Sequence, residues 1–299
     1  MANDWLHTST GDPRGFIVAQ ELKELWFHTG TSCNLSCPFC LEGSSPGDNR
    51  IHFITLDDVK NYLVEAKELG VKQISFTGGE PFVNPHFIEI LAHCLEYFPC
   101  MVLTNATEPL MNQIQKVVQL KEKPFQVRFR VSIDYPNAEQ HDKGRGKGNF
   151  TKSLKTIAIL EQQGFEVSIA RLQFQEENTQ DVDQIYQKLF EKYQISQDTH
   201  IVKFPDFDTP NSSPEVPEIT ETCMTKYLTK EQKDAFMCNF SRMIAKTNGR
   251  LSIYACTLVD DDDQYATFGT LKESLETKIM LKHHRCFSCF AYGASCSEK

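Results

Sequence analysis

Short apolar segments alternate with longer amphipathic segments from residue 24 to residue 205. Compact apolar runs bounded by turn residues are typical of strands, and apolar positions three and four apart are typical of helices. The predicted strands are 24–30, 71–79, 100–106, 125–134, 165–174 and 199–205. The predicted helices between them are 55–70, 85–98, 109–120, 149–164 and 179–193. This alternation predicts a parallel α/β sheet with right-handed crossovers.

Six strand–helix units predict a partial (β/α)6 TIM-like barrel, open on one side compared with the closed eight-unit form. In such folds the chemistry lies on loops that follow the carboxyl ends of the strands. Four of the predicted strands end in such segments, namely the cysteine-bearing "TSCNLSCPFC" and the polar "TGGEP", "LTNA" and "SID". We therefore expect the active site at this edge of the sheet.

The composition and the pattern of predicted elements change after residue 205. Residues 206–220 are rich in Pro, Ser and Asp and predict a linker. Beyond it, residues 242–256 predict a hairpin turning at Asn248-Gly249, and residues 270–284 predict one helix. The predicted division is an N-terminal extension (1–23), the barrel (24–205), the linker (206–220) and a small cysteine-rich hairpin-plus-helix domain (221–299).

Composition narrows the functional classes. The net charge of -9 disfavours a large nucleic-acid interface, which would need clustered Lys and Arg. No apolar run approaches the roughly 18–20 residues of a membrane span, and the N-terminus does not resemble a signal peptide. A cytoplasmic protein is therefore expected. The eleven cysteines favour metal or redox chemistry, because disulfide frameworks belong to short secreted chains.

Three cysteines lie within eight positions in the first loop, at Cys33, Cys37 and Cys40. A tetrahedral zinc site takes four protein ligands, and nothing nearby supplies the fourth. A cubane iron–sulfur cluster has four irons that each need one outside ligand. Three cysteines would leave one iron open for something other than protein.

The motif "CNLSCPFC", together with "FTGGEP" on the next strand end, resembles the radical S-adenosylmethionine (SAM) superfamily. The resemblance implies a [4Fe–4S] cluster on the three cysteines, with its open iron chelated by the amino and carboxylate groups of SAM. One electron would then cleave SAM to methionine and a 5′-deoxyadenosyl radical, which abstracts hydrogen from the substrate. A flavodoxin- or ferredoxin-type protein is the expected electron donor.

The same resemblance implies contacts to SAM. Phe39 would lie against it, Gly78 and Gly79 would let the backbone approach its methionine moiety, and Glu80 would hold its ammonium group. Further candidates for the cofactor or substrate site lie at strand ends: Thr104, Asn105, Ser132, Asp134 and Arg171. Thr104 and Asn105 could instead serve turn chemistry, and Arg171 could be a surface charge.

The positions of Cys94, Cys100 and residues 141–150 in the predicted fold lead to three further predictions. Cys94 and Cys100 occupy apolar positions of a helix and a strand, so both are expected in the core. The segment "HDKGRGKGNF" (141–150) resembles a loop found in family members with auxiliary clusters, and its glycines predict flexibility. His141 and Asp142 could cap it.

A second cysteine group lies near the C-terminus. Two cysteines flank the predicted hairpin and a Cys-x-x-Cys pair follows the predicted helix, an arrangement that resembles the twitch domain, a shortened SPASM domain. The resemblance implies an auxiliary [4Fe–4S] cluster on Cys238, Cys256, Cys286 and Cys289. Cys223 or Cys296 could replace one ligand, and zinc is the alternative metal. The segment "KHHR" (282–285) could raise the cluster's potential or cover it.

Fold alone does not fix the reaction. A GTP cyclase is disfavoured, because Trp26 and Ser75 stand where that enzyme is expected to have arginines. The leading hypothesis is a biosynthetic dehydrogenase of a small polar metabolite, in which the auxiliary cluster accepts the second electron. The alternative is a peptide maturase that forms a crosslink, an epimer or an oxidised residue; an epimerase would use Cys223 or Cys296 as hydrogen donor. A non-enzymatic iron–sulfur carrier or scaffold is the third hypothesis.

Overall fold

The computed structural model describes residues 3–173, 177–207, 209–293 and 297. Its strands are β1 (Phe16–Ile17), β2 (Glu24–His28), β3 (Gln73–Thr77), β4 (Cys100–Thr104), β5 (Val127–Ser132), β6 (Val167–Leu172), β7 (His200–Phe204), β8 (Ser241–Thr247), β9 (Arg250–Tyr254), β10 (Ala266–Thr267) and β11 (Ile279–Met280). Its α-helices are α1 (Asn3–Leu6), α2 (Leu56–Glu68), α3 (Phe87–Cys94), α4 (Glu108–Met111), α5 (Ile114–Gln119), α6 (Ala138–Arg145), α7 (Asn149–Gln162), α8 (Thr179–Tyr193), α9 (Glu221–Lys226), α10 (Lys230–Asp234), α11 (Met237–Phe240), α12 (Leu271–Leu275) and α13 (His284–Tyr292).

Strands β2 to β7 pair in sequence order, and each pair is parallel. Helices connect them, as parallel strands require. The predicted partial (β/α)6 barrel is therefore confirmed. None of the helices in the described ranges is both long and apolar enough to span a bilayer.

The core between this sheet and its helices contains a cluster of aromatic side chains. Phe76 is fully buried and packs against Phe27 and Phe87, with ring centroids 6.0 Å and 5.3 Å away. The predicted core positions of Cys94 and Cys100 are confirmed, because they are 0% and 1% exposed. These contacts hold the strand ends that carry the candidate site.

The C-terminal hairpin extends the same sheet. Strands β8 and β9 are antiparallel and turn at Asn248 and Gly249, whose φ angles of 50° and 75° suit a type I′ turn. The predicted hairpin is confirmed. Strand β8 pairs in parallel with β2, and within the described residues the sheet has nine strands in the order β10-β9-β8-β2-β3-β4-β5-β6-β7. The division into separate domains at residues 206–220 stays a prediction.

The predicted single helix over 270–284 is wrong. Thr270 starts α12 with a capping box, but the chain then forms β11 and re-enters a helix at α13. Strand β11 pairs with β1, placing Met280 opposite Phe16. This long-range pairing overrides a local pattern that favours a helix.

Two further predictions need correction. The predicted helix over 109–120 is divided into α4 and α5. The predicted flexible segment over 141–150 contains most of α6 and the start of α7. Asp142 accepts hydrogen bonds from the backbone N–H groups of Gly148 (2.5 Å) and Phe150 (2.8 Å), so the predicted capping role is confirmed for Asp142.

Replacing Phe76 with Ala should destabilise the apoprotein by about 3–5 kcal/mol, because it leaves a cavity between Phe27 and Phe87. Urea unfolding measures this change. Val64→Ala is the control: Val64 is 61% exposed, so its replacement should shift the free energy of unfolding by less than about 0.5 kcal/mol. Equal effects of the two substitutions would contradict this account of the core.

Candidate active site

A cavity of about 210 Å³ lies at the carboxyl ends of the parallel strands. It brings together predicted site residues from five different segments of the chain. Those that line it are Cys33, Cys37, Phe39, Cys40, Gly78, Gly79, Thr104, Asn105, Ser132, Asp134 and Arg171. The cavity thus gathers most of the candidate residues at the edge where chemistry is expected.

The loop after β2 presents Cys33 to two hydrogen-bond donors. The N–H of Leu35 lies 3.4 Å from Cys33 Sγ, and Asn105 Nδ2 lies 3.8 Å from it. Burial raises the pKa of this thiol to about 12, so the thiolate needs compensating positive charge. A sulfur that accepts two hydrogen bonds and lies in one cavity with two other cysteines fits the ligand set of an iron–sulfur cluster.

Gly78 and Gly79 pack directly against this cysteine loop. A Cβ on Gly78 would lie 2.7 Å from the carbonyl oxygen of Gly30, and a Cβ on Gly79 would lie 2.7 Å from that of Thr31. Gly78 also has a φ of 135°, which side chains rarely adopt. The glycines therefore let the end of β3 lie against the loop while both still line the cavity.

Glu80 lies behind the cavity wall and does not line it. Its carboxylate accepts hydrogen bonds from Thr104 Oγ1 (2.9 Å) and from the N–H groups of Asn105 (2.8 Å) and Phe82 (3.2 Å). Burial raises its pKa to about 7. In the described part of the chain no cationic side chain forms a salt bridge with it. A buried carboxylate without a cationic partner fits a nearby ammonium ligand, and it also orients Thr104 and Asn105.

Thr104 and Asn105 both line the cavity and stabilise the turn that follows β4. Thr104 Oγ1 accepts the N–H of Ala106 at 3.0 Å, and Asn105 Oδ1 accepts the N–H of Thr107 at 3.0 Å. Both are thus engaged in turn chemistry while they line the cavity. The turn directs the Asn105 amide nitrogen toward Cys33.

Arg145 is a residue of this site that the sequence motifs do not predict. It donates to both carboxylate oxygens of Asp134, the second bond at 3.0 Å, and its guanidinium lies 5.8 Å from the centre of the Phe39 ring. A Cβ on Gly144 would clash with that ring. Helix α6 therefore holds Phe39 in place. The sequence feature that could have identified Arg145 is an arginine flanked by two glycines, following the aspartate at a strand end.

Arg171 is buried, so its interpretation as a surface charge is wrong. It is 2% exposed and pairs with Glu177 at 2.7 Å and Asp183 at 3.3 Å. It lines the cavity. Because its guanidinium already has carboxylate partners, it would bind the SAM carboxylate only in competition with them.

The four predicted auxiliary cysteines line one small apolar cavity of about 20 Å³: Cys238, Cys256, Cys286 and Cys289. Burial raises the pKa of Cys238 to about 11 and that of Cys286 to about 12. Arg242, which the sequence analysis did not single out, is 1% exposed and donates to the Cys238 carbonyl oxygen at 2.7 Å. No carboxylate lies within salt-bridge distance of Arg242 in the described residues, so its charge fits an anionic thiolate group nearby.

The remaining candidates lie elsewhere. Cys223 is on α9, where its sulfur accepts a hydrogen bond from Thr220 Oγ1 at 3.2 Å, and it lines neither cavity. Cys296 lies outside the described residues. In "KHHR", Lys282 pairs with Asp4 at 2.8 Å and His283 with Asp261 at 3.1 Å. Those two side chains are therefore engaged with carboxylates.

Comparison with known proteins matches residues 27–189 to the model of the Radical SAM superfamily. The chain belongs to the radical SAM superfamily. Its cofactors are accordingly SAM and a [4Fe–4S] cluster. Cys33, Cys37 and Cys40, which line one cavity, stay the predicted ligands of that cluster. The family is one of enzymes.

Among curated relatives, the chain is 33% identical over 159 residues to the antilisterial bacteriocin subtilosin biosynthesis protein AlbA of Bacillus subtilis (strain 168), covering 52% of this chain and 34% of AlbA. It is 32% identical over 165 residues to an AdoMet-dependent heme synthase of Oleidesulfovibrio alaskensis, covering 53% and 38%. The chain thus spans well under half the length of these relatives.

Among solved structures, the radical SAM fold of this chain resembles Streptococcus suis SuiB bound to the precursor peptide SuiA. The TM-score is 0.64 at 13% sequence identity, over 87% of this chain and 66% of that one. At this identity the likeness concerns the fold alone. It extends beyond the 27–189 match to most of the chain.

Replacing Glu80 with Gln should flatten the pH dependence of apoprotein stability. The raised pKa means that the native state holds the proton more tightly than the unfolded chain. The resulting stabilisation is complete below the ordinary pKa of 4.5 and is lost as the pH rises through about 7. Glu80 should contribute about 3 kcal/mol to this decline in the wild type.

Urea unfolding between pH 4.5 and pH 8 tests this expectation. The control is Glu139→Gln, an exposed acid on α6, which should keep the wild-type slope. A Glu80→Gln variant with the same slope as the wild type would show that Glu80 does not dominate this pH dependence.

Proposed function

We propose that this protein is a peptide-modifying radical SAM enzyme whose four C-terminal cysteines hold an auxiliary [4Fe–4S] cluster. The proposal rests on the kinds of side chain that form the wall of the active-site cavity. Its two arginines are paired with carboxylates of the protein, and most of its uncharged side chains are apolar. An apolar residue of a peptide suits such a wall.

The apolar part of the wall comes from several segments: Leu35, Leu41, Leu103, Leu172, Phe204 and Phe207. The charged side chains that line it are Asp134 and Arg145, which are paired with each other, Arg171, which is paired with Glu177, Glu42, which lies 3.0 Å from His28, and Asp206. A metabolite rich in hydroxyl groups would leave hydrogen bonds unmade against this surface, at a cost of a few kcal/mol for each buried polar group. Burial of an aliphatic or aromatic side chain would be favourable there.

The relatives support the same substrate class. AlbA is named for biosynthesis of a bacteriocin, and SuiB is bound to a precursor peptide. The AdoMet-dependent heme synthases among the relatives show that similar sequences also belong to proteins named for other substrates. Substrate choice for this chain therefore rests on its cavity, and the small-molecule dehydrogenase is the competing hypothesis.

The auxiliary cluster is proposed from the cavity that Cys238, Cys256, Cys286 and Cys289 share. Four thiolates suit a [4Fe–4S] cluster or a zinc ion equally well by ligand type. Arg242 contributes buried positive charge beside them, which stabilises their deprotonated state. A redox-active group at this position would suit an oxidative modification of the peptide.

When bound, SAM and the first cluster supply the 5′-deoxyadenosyl radical that abstracts hydrogen. The chain's own residues prepare the cavity for this reaction. Cys33, Cys37 and Cys40 hold the cluster, and Glu80 attracts the SAM ammonium while it orients Thr104 and Asn105. Helix α6 fixes Phe39 beside the cysteines, and the apolar wall excludes water from the cavity.

Anaerobically reconstituted protein should contain about eight irons and eight sulfides, as two cubanes require. Cys238/Cys256/Cys286/Cys289→Ala should retain about four irons, and Cys33/Cys37/Cys40→Ala should also retain about four but lose SAM cleavage. Cys223→Ala is the matched control and should retain all of them. Four irons plus one zinc in the wild type would contradict the auxiliary-cluster proposal.

Deuterium transfer tests the substrate class. Peptides encoded by short reading frames beside the gene, synthesised with deuterated Leu, Val, Ile or Phe, should transfer deuterium to 5′-deoxyadenosine. Cys223→Ala should leave this transfer and the product unchanged, because Cys223 does not line the cavity. Transfer from deuterated sugars or aminocyclitols, with none from the peptides, would support the dehydrogenase hypothesis instead.

A further inference from the structure

We propose that Arg285 is a positioning residue that holds the wall between the active-site cavity and the cavity of the four C-terminal cysteines. The inference deepens the proposed function and rests on it only for the identity of the auxiliary group. The geometry itself requires neither cofactor. It depends on one buried guanidinium and the three segments that it joins.

Arg285 is 1% exposed and donates hydrogen bonds in three directions. Its Nε lies 3.0 Å from the carbonyl oxygen of Phe207, and its two Nη atoms lie 3.2 Å from those of Leu258 and Leu41. The carboxylate of Asp261 lies 3.5 Å away and balances part of the charge. A guanidinium has five N–H donors in a rigid fork, so one side chain can satisfy carbonyls on separate segments.

These segments form the two sides of one wall. Leu41 and Phe207 line the active-site cavity, whereas Leu258 and Arg285 itself line the cysteine cavity. Leu41 directly follows Cys40, and Arg285 directly precedes Cys286. A single hydrogen bond thus joins the neighbours of one cysteine from each group. Displacement at one group would be transmitted to the other through this bond.

A second contact ties the same parts of the chain. His28 Nε2 lies 3.0 Å from Glu42 in the cysteine loop and 4.0 Å from Asp260, which follows Cys256 by four positions. The Nδ1 atom of His28 accepts the N–H of Gly30, which leaves the proton on Nε2. A metal-bound histidine would instead donate through its other nitrogen, so this trio is a hydrogen-bonded link rather than a cation site.

Loss of the guanidinium would remove a donor from the carbonyl groups of Phe207, Leu258 and Leu41. Because such groups are rarely left unpaired, the segments are expected to move apart and admit water. Both faces of the wall would then loosen. The cysteines stay on their own elements, so cluster loading should survive while the shape of the active-site cavity changes.

The test compares Arg285→Gln with Arg14→Gln. Arg14 is also buried, at 2% exposed, and donates to His7 and Glu218, but it lines neither of the two cavities. In apoprotein carrying Arg285→Gln, amide hydrogen exchange in peptides containing Leu41 and Phe207 should accelerate about tenfold or more. After reconstitution, iron content should equal that of the wild type and SAM affinity should fall about tenfold. Arg14→Gln should leave the exchange of those peptides and SAM affinity unchanged.

Wild-type exchange and SAM affinity in Arg285→Gln would overturn the proposal. If that variant does not fold, Arg285→Lys provides the test instead. A single ammonium keeps the charge but cannot donate to three carbonyls in different directions. Intermediate exchange supports the proposal, and wild-type exchange overturns it. An iron content of about four in the wild type would contradict the auxiliary cluster but not this test, because exchange is measured on apoprotein.

Discussion

The parallel pairing of β8 with β2 is the interaction on which the rest of the structure depends. Strand β2 leads into the loop that carries Cys33, Cys37 and Cys40, while the β8–β9 hairpin is flanked by Cys238 and Cys256. Pairing these strands places two segments that are some 200 residues apart in the chain side by side, with Cys238 and Cys256 near the start of β2 and the cysteine loop at its end. Lys246 of β8 adds a 2.8 Å contact to Asp58 at the start of α2. The active-site wall and the auxiliary cavity follow from this arrangement.

Four largely buried arginines connect the segments that surround the two cavities. Arg145 fixes α6 against the end of β5, Arg171 closes its side of the cavity, Arg242 lies beside the auxiliary cysteines, and Arg285 joins the two cysteine regions. Each replaces water by a defined set of carboxylate or carbonyl acceptors, which makes its geometry specific. The arginines around the cavity are therefore already engaged with acceptors of the protein, and most of the surface left for a substrate is apolar.

The barrel could be predicted from the sequence because a strand buried on both faces and an amphipathic helix have different periods. The roles of the cysteine loop and of Gly78-Gly79 could be predicted because their motifs resemble those of the radical SAM superfamily. The rest depended on contacts between distant segments. Residues 270–284 were mistaken for a helix because the partner of Ile279–Met280 is β1. The positions of Arg145, Arg242 and Arg285 could not be predicted either, because most of their acceptors lie on other elements. Glu80 likewise has hydrogen bonds to distant residues, which place it behind the cavity wall rather than on it.

The most direct test of the central claim is a Mössbauer spectrum of protein reconstituted with ⁵⁷Fe, recorded with and without SAM. Two cysteine groups with different ligand counts should hold two clusters that differ in one respect. The three-cysteine cluster has an iron open to SAM, and the four-cysteine cluster does not. SAM should change the signal of one iron in one cluster and leave the other cluster's signal unchanged. A spectrum with only one cluster, or with both clusters altered by SAM, would contradict it.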